Sequence, residues 1–421
     1  MHGFVKWFKM KTFYCIATTF AIFVMFYMNN TSYLKKTKIE VFSSAMITSR
    51  PNGERTTERE AFYVTRPRTR TRYILLWTNP RNYPFVYFGE GNSIFKNKKC
   101  KYTNCYVTGN RQILRDVKEY DIIAFNGPQL ITIMTNDDWP RGRSIRQKYV
   151  YTNIEAASNY PLCSKAWNNY FNWTWTYKLD SDAIWGYIVI KNTSNHVIGP
   201  STNIDWIVTD DMDPVDEDVK KKLSFKSEAA AWFVSNCNTV SKREDYVNRL
   251  SVYLNDYNLK VDIYGSCGTL QCPKPYMKRC LEEVQRKYYF YFAFENAISE
   301  DYVTEKILNA VNHYAVPVVF GGADYTRFLP PGSYLDAYKL GPKELAKEMY
   351  DIIENRELYY RFFRWRKYYS YHLKHESPDT DDYCRFCEMA NDEALMANIT
   401  IYDNFTSWWT PPGICTVIDH F

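Results

Sequence analysis

The stretch Phe294–Phe320, FENAISEDYVTEKILNAVNHYAVPVVF, places an acidic segment that carries a tyrosine and a lysine between two apolar runs. The first run, Tyr288–Phe294 (YYFYFAF), is too short for most helices and predicts a buried parallel strand. After Thr304, a candidate N-cap, apolar residues recur at helical spacing, and Ala315–Phe320 predicts a second buried strand. The stretch therefore predicts one β-α-β unit.

The polar residues of this unit fall where ligands bind in sheets of this kind. In open α/β sheets, ligands collect beyond the carboxyl ends of the strands, where helix N-termini offer free N–H groups to phosphates. The residues predicted at that edge are Glu295, Tyr302, Glu305 and Lys306. The sequence contains neither G-x-G-x-x-G nor a P-loop, so side chains and helix ends must meet the phosphate charge. This pattern predicts a phosphate-sugar site on a nucleotide-binding sheet.

The same segment and the runs around it resemble the signature of a known family. FENAISEDYVTEK is followed by AVPVVFGGADYTRFLPPGSYLDA, and is preceded by AAAWFVSNC at Ala229–Cys237 and by VDIYG at Val261–Gly265. Together with FRWRKYY from Phe363, these runs resemble the α1,3-fucosyltransferases of glycosyltransferase family 10. The resemblance implies a GT-B-like α/β fold, with two Rossmann-like lobes, a cleft between them, and the donor bound mainly by the second lobe.

The resemblance also implies which residues bind the donor, GDP-fucose. Arg243, predicted in the first turn of a helix capped by Ser241, matches the family's diphosphate-binding arginine. Tyr302 and Lys306 match its phosphate-binding tyrosine and lysine, and Glu305 matches the acid that holds the ribose. The predicted donor-binding residues are therefore Arg243, Tyr302, Glu305, Lys306, Glu295 and Asn296. From spacing alone, these charges would be interpreted as a solvated helix face.

The catalytic base is predicted in the first lobe. Fucosyl transfer needs a group that accepts the proton of the acceptor hydroxyl while the nucleoside diphosphate leaves, and one carboxylate is enough for an inverting reaction. Glu155, in KYVYTNIEAASNYP directly after the predicted Tyr149–Thr152 strand, resembles the family's base in its N-x-E-x-P/S pattern. Ala156 and Ala157 stand where the family often has Ser or Pro. Without the resemblance, an acid near a helix N-terminus is the simpler interpretation.

Asp180-Ser181-Asp182 offers a different interpretation, because a D-x-D motif binds Mn²⁺ and a nucleotide diphosphate in the GT-A class of glycosyltransferases. The motif lies in the first lobe, after FNWTWTYKL, rather than after a strand of the donor lobe. We therefore predict no metal site and no cofactor besides the donor substrate. Mn²⁺ held by Asp180 and Asp182 is the alternative.

The N-terminal residues predict a membrane anchor. Thr12–Met28 is uncharged, long enough at 17 residues to span a thin bilayer, and preceded by three lysines. We interpret it as a signal anchor after a cytoplasmic tail at 1–11, with a cleaved signal peptide as the alternative. Residues 29–72 then form a luminal stem. This topology predicts a single-pass type II protein of the Golgi membrane with its catalytic part in the lumen.

The remainder is predicted to form an acceptor-side lobe at 73–215, a GDP-fucose-binding lobe at 216–345, and C-terminal helices with a disulfide-rich tail at 346–421. The predicted strands are Tyr73–Trp77, Asp121–Phe125, Tyr149–Thr152, Ala229–Val234, Val261–Tyr264, Tyr288–Phe294 and Val316–Phe320. Val208–Lys222 has turn composition and predicts the linker, whereas Pro342–Glu354 and Leu358–Tyr371 are predicted to be helical.

The cysteines and sequons agree with a luminal location. Of 11 cysteines, Cys15 lies in the predicted anchor and ten remain, for which disulfides are expected in an oxidising compartment. Cys384-Arg-Phe-Cys387 alone is a weak zinc or redox motif, so we favour structural bridges. The predicted glycosylation sites are Asn172, Asn192, Asn398 and Asn404, while the sequons at Asn29 and Asn30 adjoin the anchor. The net charge of +6 comes partly from the stem and anchor flanks and does not indicate nucleic-acid binding.

The leading hypothesis is an inverting transferase that moves fucose from GDP-fucose in α1,3 linkage to a GlcNAc of glycoproteins. VDIYGSCGTLQCP at Val261–Pro273 and SWWTPPGICT at Ser407–Thr416 resemble the members that act on the innermost GlcNAc of N-glycans. One alternative is a Lewis-type enzyme acting on outer lactosamine. Another is a catalytically silent luminal lectin or chaperone on the same scaffold. The sequence leaves the oligomeric state open.

Overall fold

The structure is a computed structural model, and it describes residues 70–415. The predicted anchor at Thr12–Met28 and nearly all of the predicted stem lie outside the described residues. Among the residues that are described, no helix combines the length and the apolar character that a membrane span requires.

Residues 70–415 form fourteen strands and eleven α-helices. The strands are β1 (Arg72–Leu76), β2 (Cys105–Thr108), β3 (Ile122–Asn126), β4 (Lys148–Asn153), β5 (Trp173–Thr176), β6 (Ala183–Ile184), β7 (Ile188–Asn192), β8 (Val197–Gly199), β9 (Glu228–Phe233), β10 (Val261–Tyr264), β11 (Tyr288–Phe294), β12 (Val316–Phe320), β13 (Leu335–Asp336) and β14 (Tyr369–Leu373). The helices are α1 (Ser93–Asn97), α2 (Leu130–Asn136), α3 (Glu217–Leu223), α4 (Arg243–Asn255), α5 (Met277–Lys287), α6 (Lys306–Val311), α7 (Ala337–Glu354), α8 (Arg356–Arg361), α9 (Asp382–Asn391), α10 (Glu393–Ala397) and α11 (Phe405–Trp409).

The first lobe is built on a six-stranded parallel sheet in the order β2-β1-β3-β4-β5-β6. Every residue of β3 and β4 is buried, and β3 (IIAFN) accordingly appears in the sequence as a short, mostly apolar run. The loops that follow β1, β3 and β4 leave the sheet at the same edge, since parallel strands share their carboxyl ends. Glu155 lies in the loop after β4.

The second lobe is a five-stranded parallel sheet in the order β10-β9-β11-β12-β13. The chain runs from β9 to β10 on one side and then crosses to β11 on the other, so the strand order reverses between β9 and β11. The loops after these two strands flank the position where doubly wound sheets bind ligands. The prediction of two parallel α/β lobes is confirmed, and the seven predicted strands agree with the structure to within one residue at each end.

A small antiparallel sheet, β14-β7-β8, joins the C-terminal part of the chain to the first lobe. The prediction of a helix across Leu358–Tyr371 is therefore wrong in its second half. Helix α8 ends at Arg361, a 3₁₀ turn follows, and β14 begins at Tyr369. In β14 the buried Tyr369 and Tyr371 alternate with the exposed Ser370, a period-two pattern that the surrounding run of aromatic residues hid.

Two boundaries also differ from the sequence-based expectation. The predicted linker Val208–Lys222 contains a 3₁₀ turn and most of α3, whose acids lie in the first turn and whose lysines lie in the last, as the helix dipole favours. A boundary after residue 345 would cut α7, of which Leu345, Ala346 and Met349 belong to the core of the second lobe. Helix α7 is thus part of that lobe.

Five disulfides use all ten cysteines of the described region, which confirms the expectation of structural bridges. The pairs are Cys100–Cys384, Cys105–Cys387, Cys163–Cys415, Cys237–Cys267 and Cys272–Cys280. Cys384 and Cys387 lie one turn apart on α9 and each pairs with a cysteine of the first lobe, so the zinc and redox interpretations of this motif are wrong. Three of the five bridges hold the C-terminal tail against the first lobe.

Candidate active site

The predicted base and the predicted donor-binding segment meet in the structure. The hydroxyl of Tyr302, from the segment after β11, donates a hydrogen bond to the Glu155 carboxylate at 3.3 Å. A second pair joins the same two loops. The Ser158 backbone N–H donates to the Ser299 hydroxyl at 3.0 Å, and that hydroxyl donates to the Ser158 hydroxyl at 2.8 Å. Residues 147 positions apart in the chain are thereby brought to one place.

Glu155 is half-buried, and its backbone N–H donates to the side-chain oxygen of Asn153 at 2.8 Å. Burial raises the pKa of its carboxyl above the ordinary glutamate value, and two neighbouring glutamates add to this effect. The hydrogen bond from Tyr302 and the charge of Lys306 oppose it. A carboxylate with a raised pKa is a better proton acceptor near neutral pH, which suits a general base.

Tyr302 is enclosed by other aromatic rings. It is buried, and it contacts the rings of Tyr177 and Tyr187 edge-on at centroid distances of 5.0 and 6.4 Å. Burial raises the pKa of the Tyr302 hydroxyl, and the charges of Glu295 and Glu155 raise it further. The phenol therefore stays protonated at physiological pH and acts as a neutral hydrogen-bond donor.

Arg243 begins α4 and is only 4% exposed, which rules out the interpretation of a solvated helix-start charge. Its guanidinium donates to the carbonyls of Phe294 at 2.7 Å and of Asn236 at 3.1 Å, and it pairs with Glu244 at 3.3 Å. These bonds fix the arginine between the end of β11 and the loop after β9. The second lobe thus holds a rigid cation at the point where its strand order reverses.

The predicted caps of α4 and α6 are wrong. The Ser241 hydroxyl donates to the Glu295 carbonyl at 2.9 Å, and Lys242, in the left-handed backbone conformation, occupies the N-cap position of α4 without a side-chain bond. Thr304 likewise does not cap α6, which begins at Lys306 with Glu305 at its N-cap position. Both hydroxyls instead donate hydrogen bonds to Glu295, directly after β11.

Glu295 differs from its predicted role as a donor ligand. Its carboxylate is 1% exposed and accepts hydrogen bonds from the backbone N–H and the hydroxyl of Thr304, at 2.8 and 2.9 Å. It also forms an ion pair with the Lys306 ammonium at 2.8 Å. Protein groups therefore use its hydrogen-bonding capacity, and the side chain is shielded from any ligand.

The other two donor-binding candidates face different surroundings. Glu305 is exposed at the start of α6, where a carboxylate can reach neutral hydroxyls of a bound ligand. Asn296 is half-buried, and its side-chain oxygen is enclosed without a hydrogen-bond partner among the described residues. An enclosed amide oxygen that lacks a partner is costly, so this atom is open to a ligand donor.

Asp180 and Asp182 connect the C-terminal tail to the first lobe. Asp182 accepts hydrogen bonds from the Thr174 backbone N–H at 2.9 Å and from the Tyr402 hydroxyl at 2.8 Å. Asp180 accepts one from the indole N–H of Trp408 at 2.7 Å. Within residues 70–415, no three or more His, Cys, Asp or Glu side chains are grouped so that they could hold a metal ion. The surroundings of both carboxylates thus give the alternative metal role no support.

The predicted glycan at Asn172 disagrees with the structure. Asn172 is 4% exposed, its oxygen accepts from the Tyr149 backbone N–H at 2.9 Å, and its amide N–H donates to the Thr400 carbonyl at 2.8 Å. A glycan on that nitrogen would have to displace the segment of the C-terminal tail that carries Thr400. Asn398 and Asn404 are exposed, and Asn192 is partly exposed, so the other three sequons remain predictions.

Sequence reasoning missed several residues around this site. Besides the serine pair, Lys178 forms an ion pair with Glu300 at 3.2 Å, and the Leu179 backbone N–H donates to Asp301 at 3.1 Å. Tyr83, in the loop after β1, is 42% exposed, and partial burial of its hydroxyl together with the nearby Glu155 raises its pKa. Their positions in the sequence could have indicated them, because each follows a strand of one of the two parallel sheets. Tyr83, Ser158, Lys178 and Leu179 follow strands of the first lobe, and Ser299, Glu300 and Asp301 follow β11 of the second.

Comparisons with known proteins identify the family of this chain. The family model described as "Glycosyltransferase family 10 (fucosyltransferase) C-term" matches residues 223–408, and the one described as "Fucosyltransferase, N-terminal" matches residues 69–188. Alpha-(1,3)-fucosyltransferase C of Drosophila melanogaster is 34% identical over 355 residues, which cover 80% of this chain and 78% of that protein. The chain belongs to glycosyltransferase family 10.

Other proteins named as fucosyltransferases are also similar to this chain. The 4-galactosyl-N-acetylglucosaminide 3-alpha-L-fucosyltransferase FUT5 of Gorilla gorilla gorilla is 30% identical over 379 residues, which cover 86% of each chain. A crystal structure of an α1,3-fucosyltransferase with GDP-fucose aligns with 82% of this chain and 95% of that one, at 15% identity and a TM-score of 0.45. The family predicted from the sequence is confirmed.

Proposed function

We propose that this chain is an inverting α1,3-fucosyltransferase that moves fucose from GDP-fucose to the innermost GlcNAc of N-glycans on glycoproteins. Family membership, and a relative named as an α1,3-fucosyltransferase, support the transferase activity and the linkage. The observation that carries the proposal is the contact between Tyr302 and Glu155. This contact brings a carboxylate of the first lobe next to the edge of the second lobe that carries Arg243 and Lys306.

In the proposed reaction, the first lobe supplies the base and the second lobe supplies the positive charge. The acceptor hydroxyl oxygen attacks the anomeric carbon of fucose, and Glu155 accepts the hydroxyl proton. The bond from that carbon to the phosphate oxygen breaks on the opposite face, and GDP leaves with the electron pair. Arg243 and Lys306 offset the negative charge that develops on the diphosphate, and Tyr302 contributes a neutral donor beside the base.

The location follows from the same proposal. Thr12–Met28 anchors the chain as a single-pass type II protein of the Golgi membrane, and the catalytic part faces the lumen. Those residues lie outside the described ones, and the support comes from the five disulfides, because such bridges persist in oxidising compartments.

The acceptor decides between the proposal and its alternatives. We expect the chain, incubated with GDP-fucose, to modify an N-glycan at its innermost GlcNAc and to leave a lactosamine acceptor unmodified. Mass spectrometry of the fragmented product locates the new fucose. Transfer to outer lactosamine alone would identify the Lewis-type alternative, in line with the name of the gorilla relative. Glycan binding without transfer would identify the lectin alternative and contradict the assigned base.

The pH dependence of kcat/KM tests the base itself. Glu155 must be ionised to accept a proton, so activity falls as the pH drops through its pKa, and burial raises that pKa. We expect the acid limb of the profile to lie above the ordinary glutamate value of about 4.3. Tyr302→Phe removes a hydrogen bond that favours the carboxylate, so this variant should move the limb to higher pH still. A limb at the ordinary value in both proteins would contradict the assignment.

A further inference from the structure

Glu295 is the buried acid directly after β11, and its carboxylate is held entirely by its own lobe. It is 1% exposed and accepts hydrogen bonds from the backbone N–H and the hydroxyl of Thr304. Among the described residues, its ion-pair partner is Lys306, at 2.8 Å. A buried carboxylate is costly unless it is paired and hydrogen-bonded, so Glu295 and Lys306 depend on each other.

The Lys306 ammonium uses only some of its N–H donors in hydrogen bonds to the protein. It donates to Glu295 at 2.8 Å and to the Thr304 hydroxyl at 2.7 Å, while that hydroxyl donates to Glu295 in turn. A lysine ammonium has three N–H donors, so these two bonds leave one. The Lys306 side chain is 23% exposed, which keeps that donor accessible. Lysine is otherwise a flexible chain that loses rotamer freedom when it binds a phosphate.

We propose that Glu295 is a positioning residue that, together with Thr304, fixes the Lys306 ammonium and leaves one N–H for the donor's diphosphate. The inference rests on the proposed function, because it assigns the diphosphate of GDP-fucose as the ligand of that N–H. It replaces the expectation that Glu295 contacts the donor itself. Glu295 acts through Lys306 and takes no part in the transfer step.

Glu295→Gln distinguishes this positioning role from a role in reducing the positive charge of the site and from a purely structural role. Glutamine presents one oxygen and one NH₂ group, and the NH₂ group must face either the Thr304 N–H or the Lys306 ammonium, both of which are donors. Positioning through Lys306 therefore predicts weaker binding of GDP. If Glu295 only reduced the positive charge of the site, its neutralisation would make GDP bind more tightly. A purely structural role would lower stability and leave GDP affinity unchanged.

The test is a double-mutant cycle with GDP as the probe, measured by calorimetry on the full chain. We expect Glu295→Gln to weaken GDP binding roughly ten-fold or more, the factor for one charge-assisted hydrogen bond. Combined with Lys306→Met, it should weaken GDP binding no further, to within about two-fold, because the residue through which it acts is absent. The KM for the acceptor should stay within about two-fold in both backgrounds.

Two further variants keep the outcome decisive. Thr304→Val removes the second contact of Lys306 without a change of charge, and it should also weaken GDP binding only when Lys306 is present. Glu283→Gln, on α5 of the same lobe and paired with Lys287 at 2.8 Å, is the matched control and should leave GDP affinity unchanged. Equal losses from Glu295→Gln in both lysine backgrounds would show direct contact with the donor and overturn the proposal. Unchanged or tighter GDP binding would overturn it too, whereas a wild-type chain that binds no GDP would overturn the proposed function itself.

Discussion

Glu155→Gln is expected to abolish nearly all fucose transfer while GDP still binds. Glutamine keeps the size of the side chain and can still accept the hydrogen bond from Tyr302, but it cannot accept the proton of the acceptor hydroxyl. Loss of a positioned general base typically lowers kcat by about 10²–10⁴-fold. The measurement is the initial rate with saturating GDP-fucose and acceptor, together with calorimetry of GDP binding.

Asp180→Asn provides the control for that variant. The Asp180 carboxylate accepts a hydrogen bond from the Trp408 indole in the C-terminal tail, and asparagine keeps an oxygen that can do the same. We expect transfer to continue at nearly the wild-type rate. If Asp180→Asn lost transfer and Glu155→Gln kept it, the chemistry would lie at the D-x-D motif and the proposed base would be wrong.

Loss of two disulfides together is expected to destabilise the protein by more than the sum of the separate losses. Cys100–Cys384 and Cys105–Cys387 join the same two segments, with their ends five and three residues apart. While one bridge remains, the other closes only a short additional loop, so alanine at both cysteines of one bridge should cost about 2 kcal/mol. With both bridges gone, the longer loop that the two segments close through Cys163–Cys415, on the order of 100 residues, is opened as well; this adds about 5 kcal/mol, so the total cost rises to about 7 kcal/mol.

Thermal unfolding measures this difference. A loss of about 7 kcal/mol should lower the midpoint by roughly 10 °C in a protein of this size. Alanine at both Cys272 and Cys280, which close a loop of 8 residues inside the second lobe, is the matched control for the loss of one bridge. The interpretation fails if removing either bridge alone lowers the midpoint as much as removing both.

The sequence predicted the strands of both lobes because a buried parallel strand is a short apolar run bounded by polar residues, as in Tyr288–Phe294. It could not predict β14, where a period-two pattern lies inside an aromatic run and the pairing partner, β7, is distant in the chain. Helix starts were also misplaced, because serine and threonine hydroxyls near a strand end have alternatives to capping. Ser241 and Thr304 both use those alternatives.

The structure shows where the predicted site residues lie, and their roles in binding and catalysis stay predictions. Spacing and family resemblance placed Arg243, Tyr302, Glu305 and Lys306 at one edge of the second lobe. The hydrogen bond from Tyr302 to Glu155 joins residues 147 positions apart, and no local pattern determines such a contact. Glu295 shows the same limit, since its role depends on burial, and burial is a property of the packed lobe.

The strand pairing of β14 and the three bridges to the tail have a consequence for synthesis of the chain. The second lobe is continuous from α3 to Phe363, so it can fold as soon as those residues leave the ribosome. The first lobe is translated earlier but gains β14 and its bridging cysteines only with residues 369–415. The half that carries the base is thus made before the second lobe but completed after it, and Glu155 stays without its finished surroundings until residues 369–415 have been translated.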